Sequence, residues 1–471
     1  MILCSLPFSI VLVTCLVHIP VHAVPPRPVP PPPIAPDDTA ESFQSMALGW
    51  IAETAMWDND WIVGIRRKLH GIPELGYNEI KTSAAIKAAL DELGIKYKDG
   101  YVGGTGIVAT IGSKAGPTVA LRSDIDALPI LEPEGLPFRS EHEGRMHACG
   151  HDSHMAMLLG AAKLLKSLEH TLPGTVRLVF QPNEEFGAGG EQIVNQGALD
   201  GVDAAFALHI WPLLPSGTLA TKPGTIMAGA LSFHIKVIGR GGHAAMPHLN
   251  ADPIVAASAI ISSAQTLVSR ETSPLGSAVL SVTLLKAGSA YNVIPDVAEF
   301  GGTIRTLDHD TMVHLQGRLE SLAAAVAAGH GCTTSLDWRL NEQPYYPPTV
   351  NDPKVAAMSA AAAAEVLGGE EHVQEAVPSM AGLLGFYEGL YTWVSSGPLH
   401  YLGCFCGCKL SHRMLDESLL HKGAAAHVHW QPKPGQPLVD KVACLPIFQH
   451  NGRGTAENCP RPVRFHVLLH S

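Results

Sequence analysis

Residues Met146–Glu169 read MHACGHDSHMAMLLGAAKLLKSLE, and the rest of the chain can be arranged around them. The opening of this stretch crowds His147, Cys149, His151, Asp152 and His154 together. Apolar residues follow at Met155, Leu158, Leu159, Ala162, Leu164 and Leu165, the spacing of a helix fed by a loop. Imidazole, thiolate and carboxylate are the groups that bind transition metals. Gly150 permits tight backbone where the helix begins. A pair of capping residues beside surface histidines is the competing reading, and the density of donors favours a metal site.

Working outward, short apolar runs at Val108–Ile111 and Thr118–Leu121, bounded by glycine, predict strands. The second leads into RSDIDALPI, which carries Asp124 and Asp126. Paired acids at the C-terminal end of an α/β strand suit a site, and a solvated turn is the alternative. Thr175–Phe180 predicts a strand running into QPNEEFG, with Glu184 and Glu185 side by side. Two adjacent carboxylates with apolar, Gly-rich flanks are costly to bury unless a cation neutralises them. One can then ligate while the other holds a water. Asp203–Trp211 is a further strand that ends near His209. A lone histidine is usually structural, but this one follows two other candidate sites at strand ends. Helical patterns at Asp38–Leu69 and Asn78–Leu93 alternate with these strands, so an α/β fold with a mostly parallel sheet and helices on both faces is expected.

After Pro223 the pattern changes. Leu231–Val237 alternates as a half-buried strand does, Ala278–Leu285 and Ala298–Ile304 predict strands, and Asp252–Arg270 and Met312–Ala328 predict helices. Two helices with one antiparallel sheet make a smaller α+β insert over residues 224–340. The Gly-rich turn IGRGGH inside it lacks the phosphate-loop spacing, and His243 taken alone reads as a turn residue. Helical pattern returns at Asp352–Leu367.

A chain of 471 residues, 46% hydrophobic and 16% charged, is globular and long enough for two or more domains. A net charge of −11 argues against a nucleic-acid partner. Beyond the N-terminus no apolar run reaches membrane-spanning length. The N-terminal MILCSLPFSIVLVTCLVHIPVHA has the apolar core and small-residue end of a secretory signal, though it lacks Lys or Arg, and an uncleaved anchor is the alternative. A proline-rich spacer follows. Cleavage would leave seven cysteines without regular spacing, a poor disulfide framework, consistent with Cys149 staying reduced. The tract CFCGC at Cys404–Cys408 is too tight for an ordinary four-ligand zinc site.

Taken together, MHACGHDSHMAML, QPNEEFGAGG, ALHIWP, GRGGHAAMPH and YNVIPDVAEFGGTIR resemble, in this order, the amidohydrolase branch of the aminoacylase/carboxypeptidase metallopeptidases. Within it, the chain resembles the plant members that hydrolyse indole-3-acetic acid (auxin) conjugates. The resemblance runs from about Trp57 to about Met380. It implies two divalent metal ions, manganese or zinc, held by Cys149, His151, Glu185 and His209, with His412 as the last ligand. It implies Glu184 as general base and Asp126 as the acid that supports the base and the metals. His243 and Asn292 match residues of the smaller domain, which in the family dimerises and helps to bind substrate.

The domain division that follows is a signal peptide at 1–23, a Pro-rich linker at 24–40, a catalytic domain at 41–223 and 341–430, an inserted lid and dimerisation domain at 224–340, and an irregular tail at 431–471. The implied protein is a homodimeric metallo-amidohydrolase of the secretory pathway, in the ER lumen or outside the cell. It would act on linear amide bonds of N-acyl amino acids, indole-3-acetyl conjugates first, with hippurate-like or jasmonoyl substrates or a catalytically impaired conjugate-binding homologue as alternatives.

The C-terminal part departs from the family. Met380-Ala381-Gly382 is followed by Leu383-Leu384-Gly385-Phe386 where the family has Glu-Asp-Phe, and His412 lies three residues past the ligand position set by Leu415-Asp416-Glu417. Genuine divergence and an altered reading frame or splice junction compete as explanations. The Trp/Phe/Cys-rich segment, an odd surface, favours the second.

Overall fold

The computed structural model describes residues 27–30, 40–113, 116–211, 214–215, 217–380 and 399–403, with backbone alone for 40–48 and 399–403. His412, the 1–23 signal, most of the Pro-rich linker, the CFCGC cysteines and the tail lie outside the described residues.

Two helices open the chain, α1 (Ala40–Trp57) and α2 (Asn59–Gly71), where the sequence suggested one. They part at Asp58, whose buried carboxylate meets Arg27 at 2.8 Å and Lys163 at 2.7 Å. Then come α3 (Ile80–Glu92), β1 (Lys96–Tyr101), β2 (Gly106–Gly112), β3 (Thr118–Asp124) and α4 (His151–Ser167). The chain continues through β4 (Thr175–Gln181), the single turn α5 (Glu184–Gly187), α6 (Gly189–Asn195), β5 (Ala204–His209), β6 (Leu219–Thr221) and β7 (Gly224–Met227). The helix α4 is buried on all sides, and Leu158, Leu159, Leu164 and Leu165 are each at most 1% exposed. Each such leucine stabilises the fold by about 1.5–3 kcal/mol.

The next segment builds a second sheet. It comprises β8 (Gly229–Ile238), β9 (Gly242–His243), α7 (Pro253–Thr266), β10 (Ala278–Ala287), β11 (Val293–Ile294), β12 (Val297–Thr306), α8 (His309–Gly329) and β13 (Thr333–Asp337). The four long strands pair antiparallel in the order β10-β12-β8-β13, with β9 and β11 forming a separate ribbon. Phe233, Ile235, Ile260, Phe300, Leu315 and Leu319 belong to an apolar cluster of this unit's own. Asp252 caps α7 and Asp308 caps α8 through their carboxylates. The chain returns through β14 (Thr349–Asn351), which pairs with β7, then α9 (Pro353–Leu367), β15 (Val373–Glu375) and β16 (Leu399–Gly403).

The first sheet has eight strands in the order β1-β2-β4-β3-β5-β16-β6-β15. It is mixed: four of its seven pairings are parallel, as expected of the centre, and three are antiparallel. Strands β4, β3, β5 and β16 run parallel, but β1 with β2, β2 with β4, and β16 with β6 are antiparallel. The short turn at Val102–Thr105 allows only a hairpin between β1 and β2, because a parallel pair needs a crossover of a dozen residues or more. Strand β1, KYKDGY, is mostly exposed and has no apolar alternation to announce it. No helix among the described residues is long and apolar enough to cross a membrane.

Candidate metal centre

The parallel centre of the large sheet explains why distant motifs meet. Strands β4, β3 and β5 are neighbours and end on one edge. Asp124 closes β3 and Asp126 follows it, β4 leads into Glu184 and Glu185, and His209 closes β5. The N-terminus of α4 adds Cys149, His151 and His154 from above. Gly150 caps this helix at φ 91°, a backbone shape that side chains disfavour. A Cβ there would also stand 3.3 Å from the Ile210 Cδ1 atom.

Two donor sets result, Asp124, His151, His154 and His209 in one and Cys149, His151 and Glu185 in the other. All are buried, and they share His151. Cys149 Sγ lies 3.5 Å from His209 Nε2. His151 Nε2 stands 3.5 Å from Asp124 Oδ2 and 3.8 Å from Glu185 Oε1. The tautomers are fixed from outside. His151 Nδ1 donates to the Asp126 carbonyl at 2.8 Å, and His209 Nδ1 donates to the Ile210 carbonyl at 2.9 Å. Each ring therefore turns its Nε2 to the cluster, the usual way a ligating histidine is oriented.

His154 differs. Its Nε2 accepts the Ile210 N–H at 3.0 Å, so its Nδ1 carries the proton donated to Asp124 Oδ1 at 2.7 Å. Both ring nitrogens are spent, and His154 orients Asp124 rather than offering a lone pair. Asp124 Oδ2 takes 2.8 Å from Arg122, which also grips Gln181 Oε1. Burial pushes the Asp124 carboxyl up, but Arg122, His151 and His154 outweigh it and hold the group well below the usual carboxylate range.

The remaining acids are in the opposite condition. Glu184 is fully buried, and neither of its carboxylate oxygens has a hydrogen-bond partner; Glu185 Oε1 and His151 Nε2 are also orphaned. Burial and then Glu185 push Glu184 well up, and burial lifts Glu185 to about 7. Burial and Glu185 likewise raise the Cys149 thiol. Orphaned like-charged acids beside a thiol and the unpartnered Nε2 of His151 fit divalent cations, which neutralise the charge and take up the lone pairs. Imidazole, thiolate and carboxylate suit zinc or manganese.

The turn carrying the two glutamates is bent hard. Asn183 at φ 51° and Ala188 at φ 49° both occupy the left-handed region, at about 1–2 kcal/mol each. Gly189 must be glycine because a Cβ would stand 1.8 Å from the Pro182 carbonyl oxygen. Side chains hold the turn: Glu79 Oε1 accepts the Asn183 N–H at 2.8 Å, and Asp126 Oδ2 accepts the Glu185 N–H at 3.0 Å. Burial, then Asp126, raises Glu79 to about 7.

Behind the centre, Asp152 Oδ2 accepts from Arg66 at 2.7 Å and from His70 Nδ1 at 2.8 Å. His70 Nε2 reaches Glu132 Oε1 at 2.7 Å. Burial opposes the charge on His70, but Asp152 and Glu132 win and its pKa is raised. His147 lies beside this network, buried, with neither ring nitrogen hydrogen-bonded, and burial lowers it to about 4.

Of the residues singled out from sequence, the structure gathers Cys149, His151, Glu184, Glu185, His209 and Asp126 at one place. His243 and Asn292 sit apart from both donor sets, exposed on the β9–β11 ribbon, where the Asn292 carbonyl accepts the Ala244 N–H at 2.9 Å. Sequence reasoning passed over Asp124 and His154 when assigning roles, and it missed Glu79. Arg66 and His70 were legible in principle as an i, i+4 pair on a helix face.

The sequence profile of peptidase family M20/M25/M40 matches residues 120–429. The chain belongs to that family. It is accordingly a metal-dependent amidohydrolase. It is 44% identical over 329 residues to IAA-amino acid hydrolase ILR1-like 5 of Arabidopsis thaliana, covering 70% of this chain and 75% of that protein. It is 42% identical over 322 residues to N-acetyl-L-cysteine deacetylase of Bacillus subtilis, covering 68% and 76%. The solved structure of the Bacillus subtilis YXEP protein, described as a dinuclear metal binding peptidase from the M20 family, superposes with a TM-score of 0.65 at 35% identity, over 79% of this chain and 97% of that one.

Proposed function

We propose that this M20 chain hydrolyses the amide bond of N-acyl amino acids and that its preferred substrates are indole-3-acetyl conjugates, releasing free auxin. One observation carries the chemistry: Glu184 is buried within electrostatic reach of Glu185, His151 and Asp124, with both oxygens unpartnered. An amide carbonyl is a poor electrophile and neutral water a poor nucleophile. Two divalent ions held by the donor sets would supply the Lewis acidity that polarises the one and acidifies the other.

Cys149, His151, Glu185 and His209 would hold those ions, manganese or zinc, with His412 as a further ligand. Asp126 fixes the ring of His151 through its carbonyl and the Glu185 backbone through its carboxylate, and so keeps both aligned. Glu184 is in neither donor set, so its carboxylate stays available to take a proton from water and pass it to the leaving nitrogen.

Residues 224–340 form the lid and dimerisation domain in this reading, between the two catalytic parts at 41–223 and 341–430. His243 and Asn292 then bind the substrate carboxylate or stabilise the transition state. A homodimer through this domain would also cover β10, an edge strand that exposes Leu284 (64%) and Leu285 (67%), a surface that otherwise invites uncontrolled pairing. The N-terminal signal supports a place in the secretory pathway, in the ER lumen or outside the cell.

The deacetylase likeness favours a second reading, in which a smaller acyl group is preferred. Purified chain loaded with manganese or zinc should bind two ions and release product from indole-3-acetyl amino acids faster than from acetyl, hippuryl or jasmonoyl ones. Faster turnover of acetyl amino acids would establish the second reading. Bound ions and bound conjugate without product would make the chain an impaired homologue, and no ion uptake would overturn the function altogether.

A further inference from the structure

The Asn183–Ala188 turn is fastened at both ends, and its second fastening comes from far along the chain. The Ala188 N–H donates to the Tyr346 hydroxyl oxygen at 2.8 Å. Tyr346 is 4% exposed and stands where the chain leaves β13 and returns to β14. Its backbone exchanges two hydrogen bonds with Ala230, at 2.6 and 3.0 Å, at the start of β8. Gly229 next to it leaves no room for a side chain, since a Cβ would meet Pro348 and the Tyr346 carbonyl oxygen at 2.8–2.9 Å. The two strands that join the small sheet to the large one are therefore tightly packed where Tyr346 departs. The phenol lies within electrostatic reach of Glu184, Asp126 and Glu185, and with burial they raise its pKa.

We propose that Tyr346 is a positioning residue that ties the crossing between the two sheets to the Glu184–Glu185 turn. This rests on the proposed roles of Glu184 and Glu185. Glu79 and Asp126 hold the same turn, but both belong to the part of the chain that carries the large sheet. Tyr346 alone among these three comes from the crossing, so a movement of the small sheet about Gly229 reaches the glutamates through it. The hydroxyl also satisfies the amide of a residue in the left-handed region. Without it the Ala188 end of the turn loses its tie to the crossing, while Glu79, Asp126, Tyr77 and Gln192 hold only from the large-sheet side, and Glu185 loses its fixed direction towards Cys149 and His151.

Tyr346→Phe in the full chain removes the oxygen and keeps the ring. Zinc or manganese titrated into metal-free protein should bind about 10-fold more weakly than to wild type, the usual scale for losing an outer support of a metal ligand. Amide exchange over residues 183–189 of the metal-free chain should quicken about 10-fold, and kcat should fall with KM within about twofold. Leu280→Ala, in the apolar cluster of the small sheet, is the control: it should lower the melting temperature and leave ion affinity and 183–189 exchange unchanged. Unchanged exchange in Tyr346→Phe would overturn the proposal, as would ion affinity that moves equally in both variants. Wild-type chain that binds no ion would end the functional reading instead, and the exchange measurement would still decide the place of Tyr346.

Discussion

Replacing Glu184 by Gln tests the chemistry with almost no change of shape. The magnitude follows from two features of the site. First, Glu184 is wholly buried with both oxygens unpartnered, and it stands outside both donor sets. Deleting a general base in that position costs about 10²–10⁴ in kcat, or about 3–5 kcal/mol of barrier at 1.36 kcal/mol per tenfold. Second, Glu184 is buried beside Glu185 with no hydrogen-bond partner, so an ionisable carboxyl there costs the metal-free fold stability. The amide removes that penalty, and the metal-free variant should melt no lower than wild type. Three assays on one preparation suffice: bound metal by elemental analysis, kcat on an indole-3-acetyl amino acid, and melting of the chelated protein. Full metal content with kcat down at least 100-fold is expected. Activity within tenfold of wild type refutes the base assignment, and loss of an ion would make Glu184 a ligand.

Glu79→Gln addresses stability against pH. The native pKa of about 7 exceeds the ordinary 4.5, so the native state holds the extra proton and stability falls as pH rises from about 4.5 through 7. The total is on the order of 3 kcal/mol, and denaturant titration of the metal-free variant should show that slope flattened; an unchanged slope excludes Glu79 as its source. His154→Ala strands Asp124 Oδ1 and the Ile210 N–H, which should cost about 2–4 kcal/mol and weaken ion binding about 10–100-fold. Complete loss of one ion in that variant would instead mean that His154 coordinates directly. Leu284→Lys with Leu285→Lys should turn a dimer into a monomer in sedimentation, and an unaltered sedimentation coefficient would put the interface elsewhere.

How much of this was legible beforehand depended on distance along the chain. The helix α4 was readable because its donors precede an apolar run that the fold buries on every side. The ends of β3, β4 and β5 were readable because each apolar run stops at an acid or a histidine. By pattern alone Asp124 and Asp126 are equivalent, since residues two apart at a strand end share a face, and only the family resemblance singled out Asp126. In the fold their contacts separate them, His154 and Arg122 taking Asp124, and His151 and the Glu185 N–H taking Asp126. Tyr346 lies 158 residues from Ala188, and no local pattern connects them. The polar β1 was missed for want of alternation, and with it the antiparallel flank that makes the sheet mixed.

Strand β16 lies between β5 and β6, although almost two hundred residues separate it from β5 in the chain. A nascent polypeptide must therefore emerge beyond residue 403 before the sheet can close. Until then β5 carries an open hydrogen-bonding edge beside His209, and β6 with β15 is held to the rest by the packing of Leu219 against Ile62, Ala156 and Leu208 without a strand between them. Such late, non-local pairing slows folding and exposes a strand to unwanted partners. Ribosome-stalled chains released before β16 should need a chaperone that shields this edge, and those released after it should not.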